Sequence, residues 1–392
     1  MPLQQLDVVV VGGGIHGAGV AQAAVAAGHS ALLIEKRELA SGTSSKSSKL
    51  IHGGLRYLES GQLRLVHESL RERRILLQIA PDLVRLVPFH LPVYRETRRR
   101  PWQLRLGLAM YAVLAGFSRG SRFETLPRSA WSQLDGLETK GLKSVLRYFD
   151  AQTDDAALTR AVVTSAQSLG AQLAVPAEFF AAELRDESVV VRYVASGTQH
   201  EVLARVLVNA AGAWASEVAD RISPSIGVPA VELVQGTHLI APGPLEHGIY
   251  YVESPRDGRA VFVMPWKGNT LVGTTETRFR GDPDHVEPHA VEKHYLLSVL
   301  KRYFPRYGAL HARDLVGCFA GLRVLPAGGG HAFHRSRETA LIADRERRPR
   351  VLGIYGGKLT GWRATGEQVL KRIAPSLPDR QPVTDTSTLK LT

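Results

Sequence analysis

Residues Asp7–Lys36 read DVVVVGGGIHGAGVAQAAVAAGHSALLIEK, and the order of their parts decides the fold. Val8–Val11 is a short β-branched run, the composition of a strand buried on both faces of a parallel sheet. Gly12, Gly14 and Gly17 follow at G-x-G-x-x-G spacing. In that pattern the first glycine permits a tight turn, the second lets backbone approach a pyrophosphate, and the third lets helix and strand pack closely. The stretch Ile15 to Ala27 reads as the helix, with its N-terminal N–H groups and dipole aimed at the anion. Ala31–Ile34 supplies the next strand, which runs into Glu35, 23 residues beyond Gly12, where an acid can hydrogen-bond a ribose hydroxyl. A lone glycine triplet also makes ordinary turns. Strand, turn, helix, strand and acid arriving in order indicate a βαβ dinucleotide site.

The whole chain has 392 residues, a length that suggests about two domains and a large buried core. Hydrophobic content of 44% and charged content of 22% are those of a soluble globular protein. A single cysteine, Cys318, excludes an internal disulfide framework and a cysteine-based zinc site, and no metal site is expected. The glycine-rich start has no secretory h-region, and no run of about 20 apolar residues is present to span a bilayer. The longest apolar candidate is Leu106–Phe117, uncharged but only 12 residues long. Lys and Arg outnumber Asp and Glu by 49 to 37, an excess that favours acidic partners such as anionic lipid, nucleic acid or phosphorylated substrates.

After Glu35 a Ser/Thr/Gly-rich loop carries Thr43, Ser44, Ser45, Ser47 and Ser48. Helical spacing of Leu63, Val66, Leu70, Ile75, Leu77 and Ile79 amid charges predicts an amphipathic helix closed by Pro81. Pro88, Pro92 and Pro101 read as interruptions. Arg95, Arg98, Arg99, Arg100 and Arg105 crowd beside Trp102 and the apolar run, a combination that suits an anionic membrane surface, the alternative being a solvated loop and a core helix. Asp154 and Asp155 open a helix, and alternating stretches around 172–208 read as strands that lead into the glycine turn NAAGAW. Residues 228–315 have short strands with Gly, Pro and Asn punctuation, including a Lys267-Gly268-Asn269 hairpin turn and a helix over His294–Phe304. Strand character resumes at Cys318–Arg323, Thr339–Asp344 and Val351–Tyr355, before GIYGGKLTGWR and a last helix to about Ile373.

DVVVVGGGIHGAG, SGTSSKSSKLIHGGLRYLE, VNAAGAW, QGTHL, FVMPWKGNTLVGTTE and GIYGGKLTGWR, in that order, resemble the FAD-dependent glycerol-3-phosphate dehydrogenases of the D-amino-acid-oxidase-like superfamily. The likeness covers about residues 6–373, and TSSKSSKLIHGGLRYLE is its specific part. It implies an α/β protein, with a Rossmann-like FAD-binding domain and a second, mainly antiparallel-β (α+β) substrate domain. The expected boundaries are 1–80, 145–227 and 316–375 for the FAD-binding domain and 81–144 and 228–315 for the substrate domain, which also faces the membrane, with 376–392 a loose C-terminal tail. The resemblance implies oxidation of sn-glycerol 3-phosphate to dihydroxyacetone phosphate by hydride transfer to flavin N5, with electrons passed to membrane quinone. Expected partners are glycerol 3-phosphate, that quinone and an anionic membrane met through residues 95–117. Nucleic acid is not expected, a homodimer is allowed, and the location is cytoplasmic at the inner face of the membrane. A related flavin oxidase using O2, or one acting on another hydroxy acid or an amine, is the nearest alternative. A basic nucleic-acid-binding protein is the non-enzyme one.

By the same resemblance, non-covalent FAD is held by Gly12, Gly14, Ile15, Gly17, Glu35, Lys36, Thr43, Ser44, Ser45, Ser48, Leu50, His52, Gly53 and Gly54. Ala211, Gly212, Trp214, Gly356, Gly357, Lys358, Leu359 and Thr360 complete that set. A phosphomonoester carries about −1.5 to −2 charges, so cations must converge on it. Arg56, Arg323, Arg337 and Lys358 are the candidates, with Tyr57 and Thr360 as hydrogen-bonding groups on the substrate side. His52 and His238 are the candidate proton acceptors, and catalytic roles fall to His52, Arg56, Tyr57, His238, Arg323 and Lys358. His16 is expected to pack near the cofactor. Two departures stand out: Val324 occupies the proline position of the family's G-x-R-P, and longer members continue past the last helix into a further helical domain.

Overall fold

The computed structural model describes residues 3–59, 61–117, 119–327 and 339–391. Its helices are α1 (Ile15–Ala26), α2 (Arg56–Glu59), α3 (Leu63–Ile79), α4 (Pro101–Leu114), α5 (Asp155–Ser168), α6 (Ala215–Asp220), α7 (Ala290–Tyr303) and α8 (Trp362–Ile373). Among the described residues the strands form two sheets.

The first sheet has the strands Gln172–Ala174, Ala31–Ile34, Gln4–Val11, Thr198–Asn209 and Val351–Tyr355 side by side and parallel. Val8–Val11 is buried on both faces, as the β-branched run requires. α1 is buried almost all round, which its Ala/Gly/Val composition permits. It lies against α8, where Gly19 admits the fully buried Trp362: a Cβ at Gly19 would sit 2.8 Å from the indole. An antiparallel ribbon (Ala177–Leu184, Val189–Ala195) extends this sheet from Thr198–Asn209.

The second sheet is mainly antiparallel and is built on Val231–Ala241, Ile249–Glu253, Ala260–Trp266 and Asn269–Gly273. Lys267 and Gly268, both at positive φ, form the two-residue hairpin turn read from the sequence.

Three features differ from expectation. Leu142–Thr153 and Gly317–Pro326, assigned above in large part to the FAD-binding domain, are strands of the second sheet, paired with Val84–Tyr94 and Val231–Ala241. Local pattern gives a strand but not its partner. Pro88 and Pro92 do not interrupt Val84–Tyr94. Four residues apart, they place both missing donors on one edge, which Ile249–Glu253 meets only at Phe89 and His90. Finally, residues 376–391 are not loose. Val383 N and Thr384 N donate to Ala26 O at the end of α1 (2.8 and 3.1 Å), Leu391 N donates to Ile79 O (2.7 Å), and Leu391 is buried. Orphan carbonyls at the ends of α1 and α3 thus acquire donors from the tail.

Candidate functional site: a cavity between two glycine turns

One continuous cavity of about 410 Å³ runs from the ends of the parallel strands, at Val11 and Ile34, to the second sheet. Its deep end is the first glycine turn. Gly12 has φ +113°, and a Cβ at Gly17 would overlap the Gly12 carbonyl oxygen, so helix and strand meet there only because Gly17 has no side chain. Gly14 is the N-cap of α1 and offers no capping side chain, and the first turn holds no acid. Glu35 and Ser44 brace this turn. Gly13 N donates to Glu35 Oε2 (2.6 Å) and Ile15 N to Ser44 Oγ (2.9 Å).

The serine loop continues the wall. Thr43 Oγ1 donates to Leu322 O of the second sheet (2.6 Å). Buried Asp155, in the first turn of α5, accepts from Ser47 N (3.0 Å), Ser47 Oγ (2.6 Å) and Lys49 Nζ (2.7 Å). So anchored, the loop brings Ser48 Oγ 2.9 Å from His238 Nε2. His238 lies on Val231–Ala241, whose alternation divides labour: Gly236 and His238 line the cavity, while Gln235 and Thr237 bond to Glu292 of α7 on the other side (both 2.7 Å). The imidazole stacks on Phe319 with centroids 4.9 Å apart, and a Cβ at Gly273 would overlap it. Burial first, then the Arg323 and Lys49 cations, hold its pKa well below that of a free histidine, so it is neutral at physiological pH.

A second glycine turn borders the same cavity: Gly356 and Gly357 both have positive φ. A Cβ on Gly357 would meet His16 Nε2 at 2.5 Å, so the two glycine turns, far apart in sequence, adjoin through His16. Thr360 Oγ1 accepts from His52 N (3.1 Å) and latches this turn to the segment after the serine loop. Lys358 Nζ sits 4.0 Å above the Tyr57 ring.

Of the residues named from the sequence, Gly12, Gly14, Ile15, Glu35, Lys36, Thr43, Ser44, Ser48, Leu50, His52, Gly54 and Tyr57 line this cavity. So do Ala211, Gly212, Trp214, His238, Arg323, Gly356, Gly357, Lys358, Leu359 and Thr360. Gly17, Ser45 and Gly53 do not line it, and Gly17 and Gly53 are packed tightly behind lining residues. Arg56 opens α2 between the lining residues Leu55 and Tyr57, but its side chain, like the whole of Arg337, lies outside the described residues.

Sequence reasoning missed Glu276, Arg259 and Thr274. Glu276, nearly buried, pairs with Arg323 (2.8 Å) and Arg259 (3.1 Å), and Arg323 also donates to Thr274 Oγ1 (3.2 Å). Their signal was present, since Thr274 and Glu276 fall inside FVMPWKGNTLVGTTE. Tyr148, Phe89, Tyr251 and Phe262 add an aromatic wall that only strand pairing assembles.

His16 Nδ1, Trp214 Nε1 and His238 Nδ1 are buried at this cavity with no hydrogen-bond partner among the described residues. Such groups are costly unless a ligand satisfies them. Burial holds the His16 pKa at about 4. Because the unfolded histidine titrates near 6.5, the unfolded state binds the proton first, and stability falls as pH drops from 6.5 toward 4. Thermal melts are therefore expected to show the wild type losing up to about 3 kcal/mol more than His16→Asn over that interval. Parallel pH dependence of the two would show that His16 is not held neutral.

Glycine turns on parallel strands, an uncapped helix N-terminus and orphaned donors against one elongated cavity define a dinucleotide-cofactor oxidoreductase. The chain belongs to the FAD dependent oxidoreductase (DAO) family, which it matches over residues 7–365. It is 36% identical over 390 residues to a glycerol-3-phosphate dehydrogenase of Pseudomonas tolaasii, covering 97% of this chain and 74% of that protein. It is 34% identical over 379 residues to the D-erythritol 1-phosphate dehydrogenase of Brucella abortus, covering 95% of this chain and 74% of that one. Its fold matches the glycerol-3-phosphate dehydrogenase of Bacillus halodurans complexed with FAD at a TM-score of 0.79 and 27% identity, over 99% of this chain and 68% of that chain. FAD is thus the cofactor, and the glycine cradle, Glu35, Ser44 and the orphaned donors fit it.

Proposed function

We propose that this protein oxidises sn-glycerol 3-phosphate to dihydroxyacetone phosphate and delivers the electrons to a quinone in the membrane. The observation that carries the reading is the set of cations lining the cavity: Arg323 and Arg259, paired with Glu276 near His238, and Lys358 over the Tyr57 ring at the facing wall. Cations converging on one cavity suit a phosphomonoester bearing about −1.5 to −2 charges. Bound FAD supplies the two-electron acceptor that takes the hydride from the carbinol carbon. His238, neutral and steadied by Ser48, receives the hydroxyl proton. Lys358 and Tyr57 orient the substrate at the opposite wall. The matches to named glycerol-3-phosphate dehydrogenases support this substrate.

Flavin absorbance recorded before and after anaerobic glycerol 3-phosphate tests the reading. Bleaching is expected; an unbleached spectrum rejects the substrate, and D-erythritol 1-phosphate, a hydroxy acid and an amine complete the panel. O2 consumption at the full turnover rate would replace quinone by oxygen as acceptor. Arg56→Ala is expected to raise KM for glycerol 3-phosphate about tenfold or more with FAD retained, on the worth of a charged hydrogen bond. An unaltered KM would take Arg56 off the substrate.

For the membrane contact, α4 and the turn after it carry an exposed apolar stripe: Trp102 (63% exposed), Leu106, Met110, Val113 and Phe117 (71%). The steps of four, four and three residues put Trp102, Leu106, Met110 and Val113 on one face of α4, and Phe117 is exposed in the turn beyond the helix. Exposed Arg100 and Arg105 flank it, whereas Arg99 is committed to an ion pair with Glu253. The cluster Arg98–Arg100 is therefore only partly available to lipid, and the apolar stripe carries the contact. No helix among the described residues is long and apolar enough to cross a membrane. α4 packs one layer from the cavity, Gly107 facing the lining residue Leu55. The triple variant Trp102→Ser, Leu106→Ser, Phe117→Ser is expected to bind vesicles of mixed neutral and anionic lipid at least about tenfold more weakly. Undiminished sedimentation with vesicles would refute this surface.

A further inference from the structure

Three buried polar residues beside the cavity have no part in the chemistry proposed above: Arg73 of α3, Tyr111 of α4 and Asp150 of the strand Leu142–Thr153. Arg73 Nη1 pairs with Asp150 Oδ1 at 2.6 Å and also donates to Phe149 O (3.0 Å). The Tyr111 hydroxyl donates to Asp150 Oδ2 (2.6 Å) and accepts from Gly53 N (2.8 Å). An apolar cluster would fill this space at no desolvation cost, and a buried ion pair is weak as a stabiliser. Besides giving donors to the Phe149 and Gly120 carbonyls, the network supplies an acceptor to one backbone amide next to the cavity.

That amide is well placed. A Cβ at Gly53 would overlap the Tyr111 hydroxyl and Leu70, so the backbone lies directly on the tyrosine. The next residue, Gly54, has φ +77°, and His52, Gly54, Leu55 and Tyr57 all line the cavity. The Tyr111 ring also meets Tyr148 edge-on (6.0 Å, 85°), and Tyr148 packs on Phe89, both of them wall residues. We propose that Tyr111 is a positioning residue for the oxidation: its hydroxyl, oriented by the Asp150–Arg73 pair, fixes the Gly53 amide and so the His52–Tyr57 turn that forms one wall of the flavin and substrate cavity. Burial, then Asp150, push the phenol far above its ordinary pKa, so it stays a donor to the carboxylate at every working pH.

The substrate readout rests on the glycerol 3-phosphate reading, and the flavin readout rests on FAD alone. Tyr111→Phe keeps the ring and deletes the hydroxyl. In the FAD-loaded variant, with a soluble dye as acceptor, kcat/KM for glycerol 3-phosphate is expected to fall about tenfold, the worth of one hydrogen bond tied to a charge. The visible circular dichroism of bound FAD is expected to change, as a displaced wall requires. Kinetics and flavin dichroism within twofold of wild type would overturn the proposal, however far Tm falls, because a merely structural network moves Tm alone. If wild type does not oxidise glycerol 3-phosphate, the substrate reading fails and the dichroism still decides the positioning role. Asp150→Asn, which removes the orienting charge, is expected to shift both readouts in the same direction. If that variant does not fold, Tyr111→Phe decides alone.

Discussion

Replacing Gly17 by alanine is expected to yield a protein purified with far less than one FAD per chain. The added methyl would overlap the Gly12 carbonyl oxygen and reach 3.4 Å from Ala210 Cβ. Neither neighbour can yield. Gly12 is itself at φ +113°, and a Cβ there would lie 2.6 Å from Ala210 O, so the turn is already pressed against the strand that ends at Asn209. Relief must come from shifting α1 or opening the turn, at a cost of about 1–3 kcal/mol. Charged to the cofactor-bound form, this weakens FAD binding by up to about 100-fold. The ratio of flavin to protein absorbance and a titration of the apoprotein with FAD measure it. Stoichiometric, tightly held flavin in the variant would show that the pyrophosphate does not use this turn.

His238→Leu is expected to retain FAD and lose about 10²–10⁴ in kcat with little change in KM, the loss typical of a missing general base. Leucine approximates the imidazole in volume and preserves contact with Phe319 and Gly273. The pH profile separates a proton acceptor from a packing residue. Burial, then Arg323 and Lys49, depress the pKa of His238, so the reactive neutral form persists as pH falls and the acid limb of kcat in the wild type lies well below 6.5. In the variant the residual rate should lack that limb. A variant within tenfold of wild type would pass the proton acceptor's role to another group, His52 first.

Much of this site is legible in one dimension because the turns that line the cavity are specified by glycine backbone. Gly12, Gly14 and Gly357 are specified by what they lack, and a missing Cβ can be read from sequence as readily as a charge. The cationic pocket was only partly legible. Arg323 and Lys358 stand in glycine-rich surroundings, yet Glu276, which couples Arg323 to Arg259, had no spacing rule to announce it. Arg259 stands just before the strand Ala260–Trp266 and Arg323 within Gly317–Pro326, and their ion pairs with Glu276, across 17 and 47 positions of sequence, exist only after the strands have paired.

The sequence by itself determined the βαβ unit, the α/β class, the dinucleotide cradle and the amphipathic character of Leu63–Ile79, because each depends on a period or a glycine spacing within about 30 residues. Tertiary structure alone decided that Leu142–Thr153 and Gly317–Pro326 join the second sheet, that the tail packs on α1 and α3, and that Tyr111 reaches Gly53. Partner choice between strands and the burial of a polar network depend on the free energy of the whole packed core. No local window of sequence contains that sum.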